Sequence, residues 1–87
     1  GFCQPGESPA VVRGGRIAPG GDFPLNTSGG GLSFNHPGMF GMQLMIESVR
    51  QMRGECGARQ VPGARHCLVQ AGGMIMSAYS VMVLGNG

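Results

Sequence analysis

The stretch that decides the fold is NTSGGGLSFNHPGMFGMQLMIESVRQMRG, which runs from Asn26 to Gly54. Its second half repeats apolar residues every three or four positions, the period of a helix with a buried face. These residues are Met42, Met45, Ile46, Val49 and Met52, with Phe40 and Leu44 widening the stripe. The pattern predicts a helix over residues 37–53 that is covered on more than one side and carries its polar residues on the other side. Those polar residues are Gln43, Glu47, Arg50 and Gln51. A proline suits the first turn of a helix, and Gly54 suits its C-terminal stop.

Loops and strands are predicted outward from this helix. Residues 1–9 read as a loop, "AVVRGGRIA" predicts a hairpin turning at residues 14–15, and "FPLN" predicts a short strand. On the other side, "GECGARQVPGA" reads as a loop, and "RHCLVQA" and "SAYSVMVL" predict two strands linked through Gly72 and Gly73. Both runs are apolar almost throughout, so we expect an antiparallel pair with both faces buried. The predicted fold class is α/β.

Composition limits what these elements can form. The 87 residues make one domain at most, and the 18 glycines, four Phe, one Tyr and absence of Trp leave little bulk for a core. We therefore expect part of a larger domain, or one subunit of a complex. The chain begins with Gly, which indicates processing or a longer reading frame. It shows no signal-peptide pattern, and its longest apolar run, residues 74–84, is too short to span a bilayer.

Charge and cysteine usage exclude several classes of protein. Six arginines, no lysine and a net charge of +2 do not make the dense basic patch of a nucleic-acid-binding protein. Two interpretations of the scattered arginines stay open: contacts to a phosphorylated ligand, or solvated surface and salt bridges. Three cysteines without a CxxC spacing argue against a disulfide framework and a zinc site. Reduced thiols favour a cytoplasmic protein, and we expect neither a metal nor a bound cofactor.

His36 is the first candidate for chemistry. It follows a glycine-rich loop and precedes the predicted helix, whose positive end disfavours imidazolium and keeps the ring able to act as a base. The alternative is a structural histidine that ties the loop. For Asn26 the alternatives are a turn-holding side chain and a site residue. Cys67 and His66 fit ordinary strand positions, and Gly72–Gly73 marks either a strand break or a close approach of a ligand.

Several motifs together resemble the C-terminal end of the thiolase superfamily, in its lipid-transfer or sterol-carrier-type branch of acetyl-CoA acetyltransferase-like proteins. They are "NTSGGGLSFNHPG", the helix ending in "VRQMRGE", "GARQVPGAR" and the Gly-Gly before the last apolar strand. The resemblance covers residues 14–84, with residues 1–13 as a lead-in loop, and corresponds to about the last quarter of a family member. The whole of residues 1–87 is then one incomplete C-terminal domain.

The resemblance implies a partial C-terminal half of a five-layer αβαβα sandwich, with a mixed sheet and a buried middle-layer helix. It implies that His36 activates a nucleophilic Cys carried by the N-terminal half, which lies outside these residues and is supplied in the same chain or by a partner. The substrate is an acyl-coenzyme A thioester, and the assembly is a homodimer or hetero-oligomer. The implied substrate-binding residues are Asn26, Gly29, Gly30, Asn35, Gly72 and Gly73. The implied location is cytoplasmic, or peroxisomal in a eukaryote.

Two departures from the family pattern bear on the reaction. Asn35 stands where familiar thiolases have a Gly before His-Pro, and Gln70 stands where they place a second catalytic Cys. Cys67 lies three residues before Gln70, which puts it on the opposite face of a strand, so it does not inherit that role. Two hypotheses remain: part of a thiolase-like acyltransferase, or a non-catalytic split or degenerate subunit with a structural or lipid-binding role.

Overall fold

The computed structural model describes residues 2–35 and 38–86. Its helices are α1 (Ser8–Val12), α2 (Gly31–Phe34) and α3 (Phe40–Arg53), and its strands are β1 (His66–Gly73) and β2 (Ala78–Gly85). Short 3₁₀ turns occupy Arg13–Gly15 and Gly57–Arg59. The long helix α3 packs on the two-stranded sheet, so the predicted α/β class is confirmed.

Helix α3 ends as its sequence predicts. Gly54 takes a left-handed backbone with φ of 72°, which suits a residue without a Cβ. Its N–H donates to the carbonyl of Gln51, and the N–H of Glu55 donates to the carbonyl of Arg50 at 2.9 Å. This pair of bonds is the Schellman arrangement that satisfies the last carbonyls of a helix. With 14 residues, α3 is the longest helix of the described ranges, where no helix combines the length and apolar character needed to cross a bilayer.

The two strands pair antiparallel, as predicted, in a register that places His66 opposite Gly85 and Gly73 opposite Ala78. Their inner face lies against α3. There a Cβ built on Gly41 would lie 3.5 Å from the Cβ of Ala71, so the helix approaches the strand closely near its start. Val69 is buried on this face, and Cys67 is half-buried there.

The expectation that both sheet faces are buried is wrong for the described structure. The outer face carries four large apolar side chains with nothing described above them, and Val81 is 64% exposed. The other three are Leu68, Tyr79 and Val83. Both strands are apolar, as the sequence predicts, but their burial depends on layers that these residues do not provide.

The predicted hairpin about residues 14–15 is also wrong. Pro9 lies at the start of α1, where its fixed φ favours a helix, and the chain continues helically through Val12. Gly14 and Gly15, with φ of 69° and 73°, then turn the chain out of the helix instead of joining two strands. The segment expected as a lead-in loop therefore contains a helix.

"FPLN" forms no strand in the structure. Phe23 and Leu25 donate backbone hydrogen bonds to the carbonyls of Arg16 and Ile17, at 3.0 and 2.9 Å, within a tight loop. Gly21 is required in this loop, because a Cβ there would overlap the carbonyl group of Arg16. The close backbone turn, and not a strand pairing, satisfies these donors.

The polar side of α3 departs most from the sequence prediction. Glu47 and Gln51, expected on the side away from the core, are buried, whereas Met42 and Ile46 of the apolar stripe are exposed. The helix is covered on more than one side, as predicted, but one of those covers is polar. A helix face can be polar and buried when other segments satisfy its hydrogen bonds.

Candidate active site

The glycine loop, residues 26–35, adopts a backbone that few residue types accept. Asn26 and Asn35 have positive φ of 47° and 59°, which is uncommon for residues other than glycine and less so for Asn than for most. The N–H of Gly29 donates to the carbonyl of Asn26 at 2.9 Å and closes a turn. Gly29 has φ of 97°, and a Cβ at this position would overlap the Ser33 hydroxyl. Asn26, Gly29 and Gly30 therefore lie together in one turn, and their binding role stays a prediction.

Thr27 attaches this loop to α3. Its hydroxyl donates to Glu47 Oε1 at 2.8 Å and accepts a hydrogen bond from Gln51 Nε2 at 3.1 Å. Glu47 and Gln51 lie one helical turn apart, so both reach the same threonine.

Arg59, from the 3₁₀ turn after α3, binds the other side of the Glu47 carboxylate. Its Nε lies 2.9 Å from Oε1 and its Nη2 lies 2.9 Å from Oε2, a two-pronged pairing. The hydrogen bonds from Arg59, and then those from Thr27 and Gln51, lower the pKa of Glu47 to about 2, while its burial acts in the opposite direction. The carboxylate is therefore ionised and fully engaged at neutral pH.

Gln51, Gln60 and Cys56 extend the network into the loop that follows α3. The side-chain amide of Gln51 donates to the Arg59 carbonyl and accepts from the Val61 N–H, both at 2.9 Å. Gln60 Nε2 donates to the Gln51 carbonyl at 2.9 Å, and Gln60 Oε1 accepts from the Cys56 N–H at 3.1 Å. Burial, and then the nearby Glu47 charge, raise the pKa of the Cys56 thiol, which favours its protonated form at neutral pH.

We call the residues of this network the polar cluster: Thr27, Glu47, Gln51, Cys56, Arg59 and Gln60. The sequence analysis does not predict this cluster, because it assigns Glu47 and Gln51 to the polar side of the helix and Arg59 to the scattered arginines. A signal was present in the Glu–Gln pair at four-residue spacing, followed after the helix by an Arg–Gln pair. The polar cluster can hold the glycine loop against α3. The Glu47 carboxylate accepts hydrogen bonds from several donors, so it does not act as a general acid or base.

The strand candidates lie on opposite faces of the sheet, as their spacing predicts. Cys67 faces α3, with its Sγ 3.1 Å from the Ser48 hydroxyl oxygen. Gln70 is exposed on the outer face, where it pairs with Val81 in the register. A Cβ built on Gly72 would lie 2.9 Å from Tyr79 Cε1, so the Tyr79 ring lies directly over Gly72. Within the described ranges, no hydrogen bond joins the glycine loop to Gly72 or Gly73.

His36 lies outside the described residues, so the structure does not test its predicted role. Described residues on either side of it in the chain can be placed. The rings of Phe34 and Phe40, before and after it in the chain, lie 6.3 Å apart between centroids. Met39 lines a groove of about 260 Å³ between the start of α3 and the inner face of the sheet. The rest of the lining is Gly41, Met42, Met45, Val69, Ala71, Ser80 and Met82.

Comparison with known proteins identifies a family. Residues 1–86 match the family described as "Thiolase C-terminal domain-like". The chain is 38% identical over 86 residues to sterol carrier protein 2 of Oryctolagus cuniculus, covering 93% of this chain and 16% of the relative. It is 42% identical over 72 residues to 17-hydroxy-3-oxo-4-pregnene-20-carboxyl-CoA lyase of Mycobacterium tuberculosis (strain ATCC 25618 / H37Rv), covering 83% of this chain and 18% of that protein.

A third relative is the acetyl-CoA acetyltransferase of Methanothermobacter thermautotrophicus, which is 43% identical over 65 residues, covering 74% of this chain and 17% of that protein. The chain therefore spans about a sixth of the length of the curated relatives it matches.

Proposed function

The chain belongs to the thiolase C-terminal domain-like family, and we propose that it is the C-terminal part of a thiolase-like acyltransferase acting on acyl-coenzyme A thioesters. In this proposal His36 is the base, and a complementary N-terminal half, in the same chain or in a partner, supplies the nucleophilic Cys. The names of two relatives, an acetyl-CoA acetyltransferase and a carboxyl-CoA lyase, support a coenzyme A thioester as the substrate.

The proposed reaction begins when the neutral imidazole of His36 takes the proton of the cysteine thiol. The thiolate attacks the thioester carbonyl, and the tetrahedral intermediate collapses with breakage of the carbon–sulfur bond to coenzyme A. The departing coenzyme A thiolate takes the proton back from the imidazolium, which leaves an acyl-enzyme. A positioned base of this kind contributes about 10²–10⁴-fold to the rate.

The observation that carries the proposal is the glycine loop that precedes α3 and is fixed to it through Thr27. Gly30 is buried, and the Ser33 hydroxyl fills the place of the missing Gly29 side chain. In the proposal, the pantetheine arm of a substrate therefore approaches the exposed backbone of Gly29. In the proposal, Asn26 and Asn35 shape the loop at its two ends, and Gly72–Gly73 contributes at the end of β1.

Gln70 narrows the reaction class within this proposal. A side-chain amide cannot exchange a proton near neutral pH, so Gln70 does not replace the acid–base Cys of familiar thiolases. The proposal therefore favours acyl transfer, carbon–carbon bond cleavage of another kind, or an acid from a different segment over thiolysis and Claisen condensation by the two-cysteine route.

Substitution of His36 in the complete protein tests the base assignment. We expect His36→Ala to lower kcat for acyl transfer by about 10²–10⁴-fold, the usual range for a general base, with the thermal unfolding midpoint nearly unchanged. His36→Asn keeps a hydrogen-bond donor but no base, so we expect it to fail as well.

His66→Ala is the matched control, because it removes the other histidine of this chain from an exposed strand position. We expect it to retain full activity. Full activity of His36→Ala, or loss of the fold in that variant, would show that the base assignment is wrong.

A second candidate function is a non-catalytic split or degenerate subunit with a structural or lipid-binding role. The exposed apolar side chains of the outer sheet face and the methionine-lined groove favour it, as does the name sterol carrier protein 2 among the relatives. A complete protein with no acyl transfer, in which His36→Ala changes nothing, would favour this function. Under either proposal we expect a dimer or hetero-oligomer in the cytoplasm, or in peroxisomes of a eukaryote.

A further inference from the structure

The glycine loop depends on a single side chain for its hydrogen bonds to the rest of the described chain. Within residues 2–35 and 38–86, the backbone bonds of the loop stay inside it: Gly29 to Asn26, and Ser33 and Phe34 to Gly30. The bonds that leave the loop are those between Thr27 and the two α3 residues Glu47 and Gln51. The tilted ring pair of Phe34 and Phe40 is a second, apolar attachment.

The Glu47 carboxylate that accepts the Thr27 hydroxyl is also bound by Arg59 and Gln51. Arg59 donates hydrogen bonds to both carboxylate oxygens of Glu47. Gln51 Nε2 lies 3.3 Å from Oε1, the oxygen that also accepts the Thr27 hydroxyl. The Glu47 side chain is only 11% exposed, so water does not compete freely for these bonds. Hydrogen bonds to an ionised acceptor are about twice as strong as neutral ones, and this acceptor cannot turn away from the loop.

From this geometry we propose that Glu47 is a positioning residue that holds the glycine loop against α3 through Thr27, and that it thereby controls the rate of acyl transfer. The first half concerns the loop alone. The second half rests on the proposed function, because it acts through the segment that carries His36.

Hydrogen exchange in the complete protein tests the first half. We expect Thr27→Val, which keeps the shape of the side chain but removes its hydroxyl, to speed exchange of the Gly29 and Ser33 amides by about 10-fold, the lower end of the range for losing one hydrogen bond to a charged group. Thr27→Ser keeps the hydroxyl, and we expect it to exchange like the wild type.

Glu47→Gln should also speed exchange, but it disturbs Arg59 as well, so Thr27→Val carries the test. Asp22→Asn is the matched control, because it breaks the other ion pair of the described residues, Arg16–Asp22 at 3.0 Å, which is exposed and lies outside the cluster. Unchanged exchange in Thr27→Val would overturn the proposal, whatever the protein catalyses.

Kinetics of the same variants test the second half. We expect Thr27→Val to lower kcat by about 10-fold while KM changes less, since a displaced base slows chemistry more than binding. We expect Thr27→Ser to restore kcat and Asp22→Asn to leave it unchanged. A purely structural role would instead lower the amount of folded protein and leave kcat per folded molecule intact, which would overturn control of the rate.

The two proposals fail in different ways. Faster exchange in Thr27→Val together with full activity of His36→Ala would support the anchoring of the loop and reject the proposed function. Faster exchange, an inactive His36→Ala and a wild-type kcat in Thr27→Val would keep the proposed function and reject control of the rate by Glu47.

Discussion

At the scale of single residues, the glycine loop shows how sequence dictates backbone. Asn26, Gly29, Gly30 and Asn35 each take a positive φ, and the sequence supplies at each position a residue type that accepts it. Gly29 has a second reason to be glycine, since the Ser33 hydroxyl occupies the place of its missing side chain.

Two glycines of this loop, Gly29 and Gly31, should respond differently to substitution. Gly29→Ala should destabilise the complete protein by about 1–3 kcal/mol, because Ala is strained at positive φ and must also displace Ser33. Gly31→Ala should be neutral or slightly stabilising, because Gly31 begins α2 and has open space around its Cβ position. Urea unfolding of both variants measures the difference, and equal unfolding free energies would contradict this account of the loop.

At the scale of elements, α3 joins two environments. The sheet covers it at Gly41 and Ser48, while the polar cluster covers the turn that holds Glu47 and Gln51. Glu47 is more buried than its partner, since the Arg59 side chain is 36% exposed. Removing Arg59 and removing the Glu47 charge should therefore lower the stability of the protein by different amounts.

Arg59→Met should cost more stability than Glu47→Gln. Without Arg59 the buried carboxylate has no countercharge, and such a loss costs about 3–5 kcal/mol. Without the Glu47 charge, Arg59 can turn to water, and a cost of about 1–3 kcal/mol is expected. Unfolding free energies of the two variants at neutral pH test this order, with Asp22→Asn as a control that should change stability by about 0–1 kcal/mol. The reverse order would mean that Glu47 reaches water without Arg59.

The polar cluster also predicts a dependence of stability on pH. The pKa of Glu47 is lowered from 4.5 to about 2 on folding, so its contribution is complete above pH 4.5 and is lost as the pH falls toward 2. Glu47→Gln should therefore show a smaller loss of stability between pH 4.5 and 2 than the wild type. Parallel stability curves for the two proteins over this range would contradict the contribution assigned to Glu47.

At this scale, the sequence predicts features that depend on residues close together in the chain, and it does not predict contacts between residues far apart in the chain. The end of α3 at Gly54 and the antiparallel strands follow from local periods and turn residues, and the thiolase resemblance is confirmed by the match over residues 1–86. The polar cluster could not be predicted in this way, because Thr27 and Glu47 are separated by 20 residues and Glu47 and Arg59 by 12. The hairpin prediction failed because Pro9 made a helix start that outweighed the paired glycines.

At the scale of the whole molecule, many more large apolar side chains of the described residues are exposed than buried. Cys56 and Val69 are the only buried apolar residues of the described ranges, and no side chain there is completely buried. A sheet with an uncovered apolar face and a helix with exposed methionines are elements of a layered fold that needs further layers.

The 87-residue chain expressed by itself should therefore be poorly folded or aggregated. Calorimetry should show no sharp transition, and a dye that binds exposed apolar surface should fluoresce strongly. A soluble monomer that unfolds in one cooperative transition would contradict this expectation and would identify a domain that folds alone.

Thiol reactivity in the complete protein tests the central claim, the activation of a partner cysteine by His36. Alkylation by iodoacetamide is followed against pH, peptide by peptide, with the exposed Cys3 as an internal reference thiol. We predict that, at neutral pH, the nucleophilic Cys of the N-terminal half is alkylated faster in the wild type and in His66→Ala than in His36→Ala, because His36 takes the thiol proton. Identical alkylation rates of this cysteine in the wild type and His36→Ala would contradict the claim.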